Sequence, residues 1–122
     1  APHGQEEKAK GLRGSVMGIV GLETAFPLLY THLVQKGLIS LEKLMELMSG
    51  APRRRFGFTD GGILPGQRAE LAVLDLDKRW RIDPERFLSL GRSTPFAGWE
   101  VQGDCVMTLC GKRMAYKEEE TV

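Results

Sequence analysis

Cysteine, histidine and excess charge are all scarce in this chain. Its 122 residues include two cysteines, Cys105 and Cys110, and two histidines, His3 and His32. Two thiols with no histidine nearby fall short of any four-ligand zinc pattern. They read as core filler, and their odd separation within one strand turns them to opposite faces, against a disulfide. Lysine plus arginine (17) nearly balance aspartate plus glutamate (16), leaving a formal charge of +1. That supplies no broad field for nucleic acid or an anionic membrane, so neither partner is expected. No apolar run reaches the roughly 18 residues of a spanning helix, and the start lacks a basic flank followed by an apolar stretch. A soluble, cytoplasmic protein is the simplest reading. No Walker loop, dinucleotide fingerprint or serine-nucleophile elbow appears. The chain opens on Ala1 without an initiator methionine, which points to processing or truncation.

What is present suffices for one small domain, at 42% apolar residues. Residues 4–16, rich in glycine and charge without an apolar period, read as a solvated loop. Leu22, Phe26, Leu29 and Leu33 recur at helical spacing, with Pro27 in a first turn and Gly37 as the stop, predicting a helix over 22–36. Ser40 is a natural N-cap for a second helix striped by Leu41, Leu44, Met45 and Met48 and ended by Gly50. Pro52 opens one further turn through Arg55, with Phe56 packing inward. Beyond Gly57 the period becomes extended. Gly61-Gly62 and Pro65-Gly66 flank a short strand at Ile63-Leu64, and residues 71–74 make the best central strand. Asp83-Pro84 starts a short helix through Leu90, closed by Gly91. Residues 105–110 and 113–116 pair as a hairpin around Gly111-Lys112, and the acidic tail from Glu118 frays. These strands are few and short for an independent sheet, so something else must complete it.

Several residues carry chemistry. The imidazole of His3 can donate to a substrate carboxylate or carbonyl, although from position alone it reads as a bystander. His32, with Thr31 and Gln35 nearby, reads as a partly exposed helical histidine. The run Arg53-Arg54-Arg55 offers forked donors to an anion, but without interleaved aromatics a solvated helix face is favoured. Asp75 and Asp77 could pair as acid and base or bind a metal; strand-end solubility is the plainer reading. From the residues alone the chain is a soluble mixed α/β fragment without a complete active site.

A longer pattern adds to this. Ala1-Pro2-His3 with Glu6-Glu7-Lys8, then residues 18–31 (GIVGLETAFPLLYT), resemble the C-terminal third of bacterial dihydroorotases. Residues 62–66 (GILPG) and 69–75 (AELAVLD) resemble the closing sheet of cyclic amidohydrolases. Residues 91–99 (GRSTPFAGW) are more typical of dihydroorotases than of their relatives. The resemblance covers nearly the whole chain.

It implies an α/β fold: the last helices of a (β/α)8 amidohydrolase barrel over residues 1–57, with the eighth barrel helix at 22–36, and C-terminal strands of a small composite β-sandwich over 58–122. The active site of such a barrel lies at the C-terminal ends of its strands. The implied activity is the reversible, zinc-dependent cyclisation of N-carbamoyl-L-aspartate to dihydroorotate in pyrimidine synthesis. The family's catalytic aspartate opens a motif of aspartate, histidine, alanine, proline and histidine, of which Ala1, Pro2 and His3 are the last three; the carboxylate falls ahead of Ala1. No catalytic residue and no metal ligand is therefore expected in this chain, and zinc belongs to the full-length enzyme. What carries over is substrate binding: His3 against the substrate carboxylate, and the backbone of Met17 and Gly18. Met17 stands where phenylalanine is usual, Ala69-Glu70 replaces alanine-aspartate, and residues 49–52 replace a serine-x-asparagine-proline run. The expected partners are the substrate, the missing N-terminal part, a second copy in a homodimer and aspartate transcarbamoylase. Alternatives are a sibling allantoinase or hydantoinase, or a non-catalytic scaffold binding aspartate transcarbamoylase.

Overall fold

A computed structural model describes residues 3–58 and 62–118. Ala1, Pro2, Gly61 and the tail after Glu118 lie outside the described residues. The frame is a three-stranded antiparallel sheet, β1 (Glu70–Arg81), β2 (Glu100–Cys110) and β3 (Arg113–Lys117), in the order β1-β2-β3. The expected hairpin is there, turning at Gly111 with φ 62°. It places β3 on one side of β2 and leaves the other side to β1, so β1, expected as the central strand, is at the edge and β2 in the middle.

β1 also runs on past Leu74 to Arg81. Over residues 74–81 its alternation is regular: Leu74, Leu76, Lys78 and Trp80 are half-buried while Asp75, Asp77, Arg79 and Arg81 face out. The ladder shifts register between Asp75 and Arg79. There one Asp75 oxygen accepts the N–H groups of Asp77 (2.9 Å) and Lys78 (3.1 Å). Asp75 thus closes the irregular turn of the strand rather than forming an acid–base pair with Asp77.

Residues 4–16 are not wholly loop: they contain α1 (Gln5–Lys8) and α2 (Gly11–Gly14), each a single turn. α3 (Ala25–Leu29) continues as the π-helical stretch Tyr30–Val34. Its buried residues are Phe26 and Pro27, whereas Leu22 and Leu29 are exposed, so the expected stripe is wrong by its first and third members. Leu22 lies ahead of the helix, and the inward face is set by where β2 lets the helix approach. That place is Gly103, at φ 88°, where an added Cβ would come 3.0 Å from both Phe26 Cε1 and Tyr30 Cδ1. The Thr31 hydroxyl fastens the same contact, accepting from the Gln102 N–H at 2.8 Å and donating to its carbonyl at 3.2 Å.

Ser40 caps α4 (Leu41–Met45) as expected, its hydroxyl accepting from the Lys43 N–H at 3.2 Å. Gly50 does not end this helix. With φ −59° it stays helical, and the chain runs through the π stretch Glu46–Gly50 into α5 (Ala51–Arg55). The Glu46–Arg54 ion pair crosses over Gly50, where a side chain would meet the Glu46 carboxylate. Phe56, expected inside, is 77% exposed because the helix stops there and Gly57 turns the chain away. Of the three arginines, Arg53 lies over the Phe58 ring at 5.8 Å while Arg54 and Arg55 stay solvated.

Residues 63–64 form no strand and are exposed. The helix expected from Asp83 to Leu90 is a 3₁₀ turn, Pro84–Arg86, capped by Asp83 through the Glu85 N–H at 3.0 Å. The core joins Val20, Ile82, Phe87 and Val101, with Leu28, Trp80 and Phe96 against them. Cys105 is half-buried, but Cys110 is exposed beside Arg68 and Glu70, so core filling fails for it. Both thiols are free.

Candidate substrate-binding wall

Residues His3, Met17 and Gly18 sit on two neighbouring segments that α1 ties together. His3 precedes α1, and its Nδ1 faces the Glu7 carboxylate at 3.5 Å. The next residue, Lys8, reaches the other segment. Its ammonium donates to the Val16 carbonyl at 2.6 Å and to the Gly18 carbonyl. The Ser15 hydroxyl donates back to the Lys8 carbonyl at 2.6 Å, and the Val16 N–H reaches the Glu7 carbonyl at 3.4 Å. Gly18 has φ 99°, a value a side chain would strain, and this turn lets two carbonyls converge on one ammonium. The Met17 side chain is 91% exposed. Among the described residues no acceptor meets the N–H of Met17 or Gly18.

On its far side this segment is anchored to residues 88–93. The Val20 N–H donates to the Ser93 carbonyl at 2.9 Å. Glu23 accepts from the N–H groups of Leu88 (2.8 Å) and Ser89 (2.9 Å) and from the Ser89 hydroxyl (2.6 Å). These N–H groups are the ones a helix through Leu90 would have used, which is why it stops at Arg86. Burial alone would push the Glu23 carboxyl up, but the hydrogen bonds from Ser89 and Leu88 and the Arg92 charge outweigh it and hold the group below its ordinary value. A depressed carboxyl stabilises the fold above its unfolded pKa and loses that contribution as pH falls through the folded value. Wild-type stability should therefore decline on acidification in the carboxylate range, and Glu23→Gln should flatten that part of the profile. Denaturant unfolding across pH checks this; an unchanged slope would rule the clamp out.

His32 lies apart, in the π stretch, with its ring edge-on to Trp99 at 5.3 Å and a buried Nε2 without a partner among the described residues. Among the described residues no three histidine, cysteine, aspartate or glutamate side chains come together as a metal site. Lys8 and Glu23 are the residues that the sequence did not single out. Both fall inside the quoted motifs, but their partners are backbone groups that no spacing rule reveals.

No protein-family model matches the chain. Over all 122 residues it is 48% identical to dihydroorotase from Bacillus cytotoxicus, of which it spans 28%. The chain is a relative of bacterial dihydroorotases, similar to their C-terminal part. The dihydroorotase from Bacillus thuringiensis is 47% identical over the same 122 residues. Among solved structures, L-hydantoinase (dihydropyrimidinase) from Arthrobacter aurescens superposes with a TM-score of 0.77 and 35% identity, covering 89% of this chain and 25% of that one. Dihydropyrimidinase from Brevibacillus agri gives a TM-score of 0.68 and 26% identity over 75% of this chain and 20% of its own. The helices and antiparallel sheet are thus shared with hydantoinases of the amidohydrolase fold, and dihydroorotases and hydantoinases alike are cyclic amidohydrolases.

Proposed function

We propose that the polypeptide carrying this chain is a dihydroorotase, catalysing the reversible cyclisation of N-carbamoyl-L-aspartate to dihydroorotate in pyrimidine biosynthesis. The observation that carries this reading is 48% identity along every residue of the chain. In this reading residues 1–57 close a (β/α)8 barrel and residues 58–122 supply strands of a β-sandwich. His3 donates to the substrate carboxylate, the Met17 N–H offers a second donor, and Gly18 lets the backbone come close. Both donors suit an anionic, amide-containing ring. The described residues do not fit the zinc ion of this reading, which is assigned to the rest of the polypeptide together with the proton shuttle. The 122-residue stretch alone is then inactive. A cytoplasmic homodimer completes the proposal.

The test is turnover by the complete polypeptide supplied with zinc. Dihydroorotate should be consumed faster than hydantoins or allantoin, and the isolated 122-residue chain should consume none. A folded, zinc-loaded polypeptide without dihydroorotate turnover would sink the assignment. A hydantoinase activity is the second reading, favoured by the TM-score of 0.77 to L-hydantoinase; preference for hydantoins would decide for it.

A further inference from the structure

We infer that Lys8 is a positioning residue that aims and strengthens the Met17 N–H as a donor to an anionic substrate group. The inference rests on the proposed substrate contact of the Met17–Gly18 backbone and adds the residue that makes that contact possible. It starts from the geometry of one peptide. The Lys8 ammonium holds the Val16 carbonyl at 2.6 Å, and no peptide bond among the described residues is cis. In a planar trans peptide the N–H points opposite to the carbonyl, so the Met17 N–H is turned directly away from Lys8. It is also left without an acceptor among the described residues.

The second carbonyl makes the arrangement rigid. Lys8 also holds the Gly18 carbonyl, so one ammonium grips both ends of the Met17–Gly18 unit. Two donors on one side chain resist the rotation that a single bond would allow. The left-handed φ of 99° at Gly18 brings those two carbonyls to the same point. Charge adds to the aim. An ammonium on the Val16 oxygen polarises the peptide and makes its N–H a stronger donor. The ligand class that gains most is an anion such as a carboxylate, because hydrogen bonds to charged acceptors are the strong ones. One further bond fixes Lys8 itself and two fix the residue before it. The Lys8 carbonyl receives the Ser15 hydroxyl, the Glu7 carbonyl receives the Val16 N–H, and the Glu7 carboxylate accepts the Gly4 N–H at 3.1 Å.

The test compares Lys8→Met, Lys8→Arg and Gly18→Ala in the complete, zinc-supplied polypeptide, with dihydroorotate as substrate. Lys8→Met keeps the stem and loses the donors. It should raise KM about tenfold or more, with kcat changed by less than about twofold, the pattern of a lost binding contact. Lys8→Arg retains donors and charge and should recover part of the loss. A smaller folded fraction would lower kcat and leave KM alone, so that result assigns Lys8 to the fold and overturns the inference. An unchanged KM in Lys8→Met with a raised KM in Gly18→Ala would overturn the role of Lys8 while keeping the substrate wall. Unchanged KM in both would overturn the wall itself, and the inference with it.

Discussion

Replacing Gly103 by alanine should destabilise the protein by several kcal/mol, on the order of 2–5, through two separate costs. The first is backbone: φ 88° is a conformation that a residue with a Cβ rarely adopts. The second is space. The new Cβ would stand 3.0 Å from Phe26 Cε1 and from Tyr30 Cδ1, two rings stacked with centroids 5.6 Å apart. Neither ring is a flexible tip that swings aside, so α3 must lift from β2 and loosen the Thr31–Gln102 bonds beside it. The Gly103 carbonyl also accepts from the Trp80 indole at 3.1 Å, so the displacement reaches β1. Thermal and urea unfolding of the complete polypeptide would show the loss. A midpoint within error of wild type would mean that α3 does not approach β2 as described.

Removing the His3 imidazole should be the most damaging change on the substrate side. In the complete polypeptide His3→Ala should raise KM for dihydroorotate about tenfold to a hundredfold, the range for losing a hydrogen bond to a charged acceptor. The geometry names the nitrogen concerned. Nδ1 faces the Glu7 carboxylate, an acceptor only, at 3.5 Å. Nε2 is left to the ligand, and with Nδ1–H turned to Glu7 it donates there in the imidazolium form. His3→Gln, which keeps a donor at similar reach, should lie between the two. Steady-state kinetics decides it; a KM indistinguishable from wild type would remove His3 from the substrate wall.

Features written locally were legible in the sequence. The Ser40 cap, the Asp83-Pro84 start and the Gly111-Lys112 turn each depend on neighbours within a few positions, and all three are found. What escaped depends on distant partners. Leu22 has helical spacing to Phe26 yet is exposed, because the buried face follows the Gly103 gap in β2. Gly50 has the composition of a stop, but its backbone is helical and the Glu46–Arg54 pair spans it. The charged half of β1, residues 75–81, hides a strand because its alternation has an acid or base at every exposed position. The candidate wall rests on resemblance, which proposes His3, Met17 and Gly18 but not the groups that hold them. Lys8 and Glu23 bind backbone, and a backbone partner leaves no mark on spacing.

The Glu23 clamp also bears on the order in which the molecule is assembled. Its acceptors find Leu88 and Ser89 across 65 and 66 residues of chain. Closing a loop of that size costs entropy before any contact rewards it, so contacts of this span are slow to form. Lys8 and Gly18, ten residues apart, can meet early. The turn around Gly18 can therefore take shape while its far anchor is still missing, and it becomes fixed to the body of the protein when β1 and β2 have drawn residues 88–93 into place.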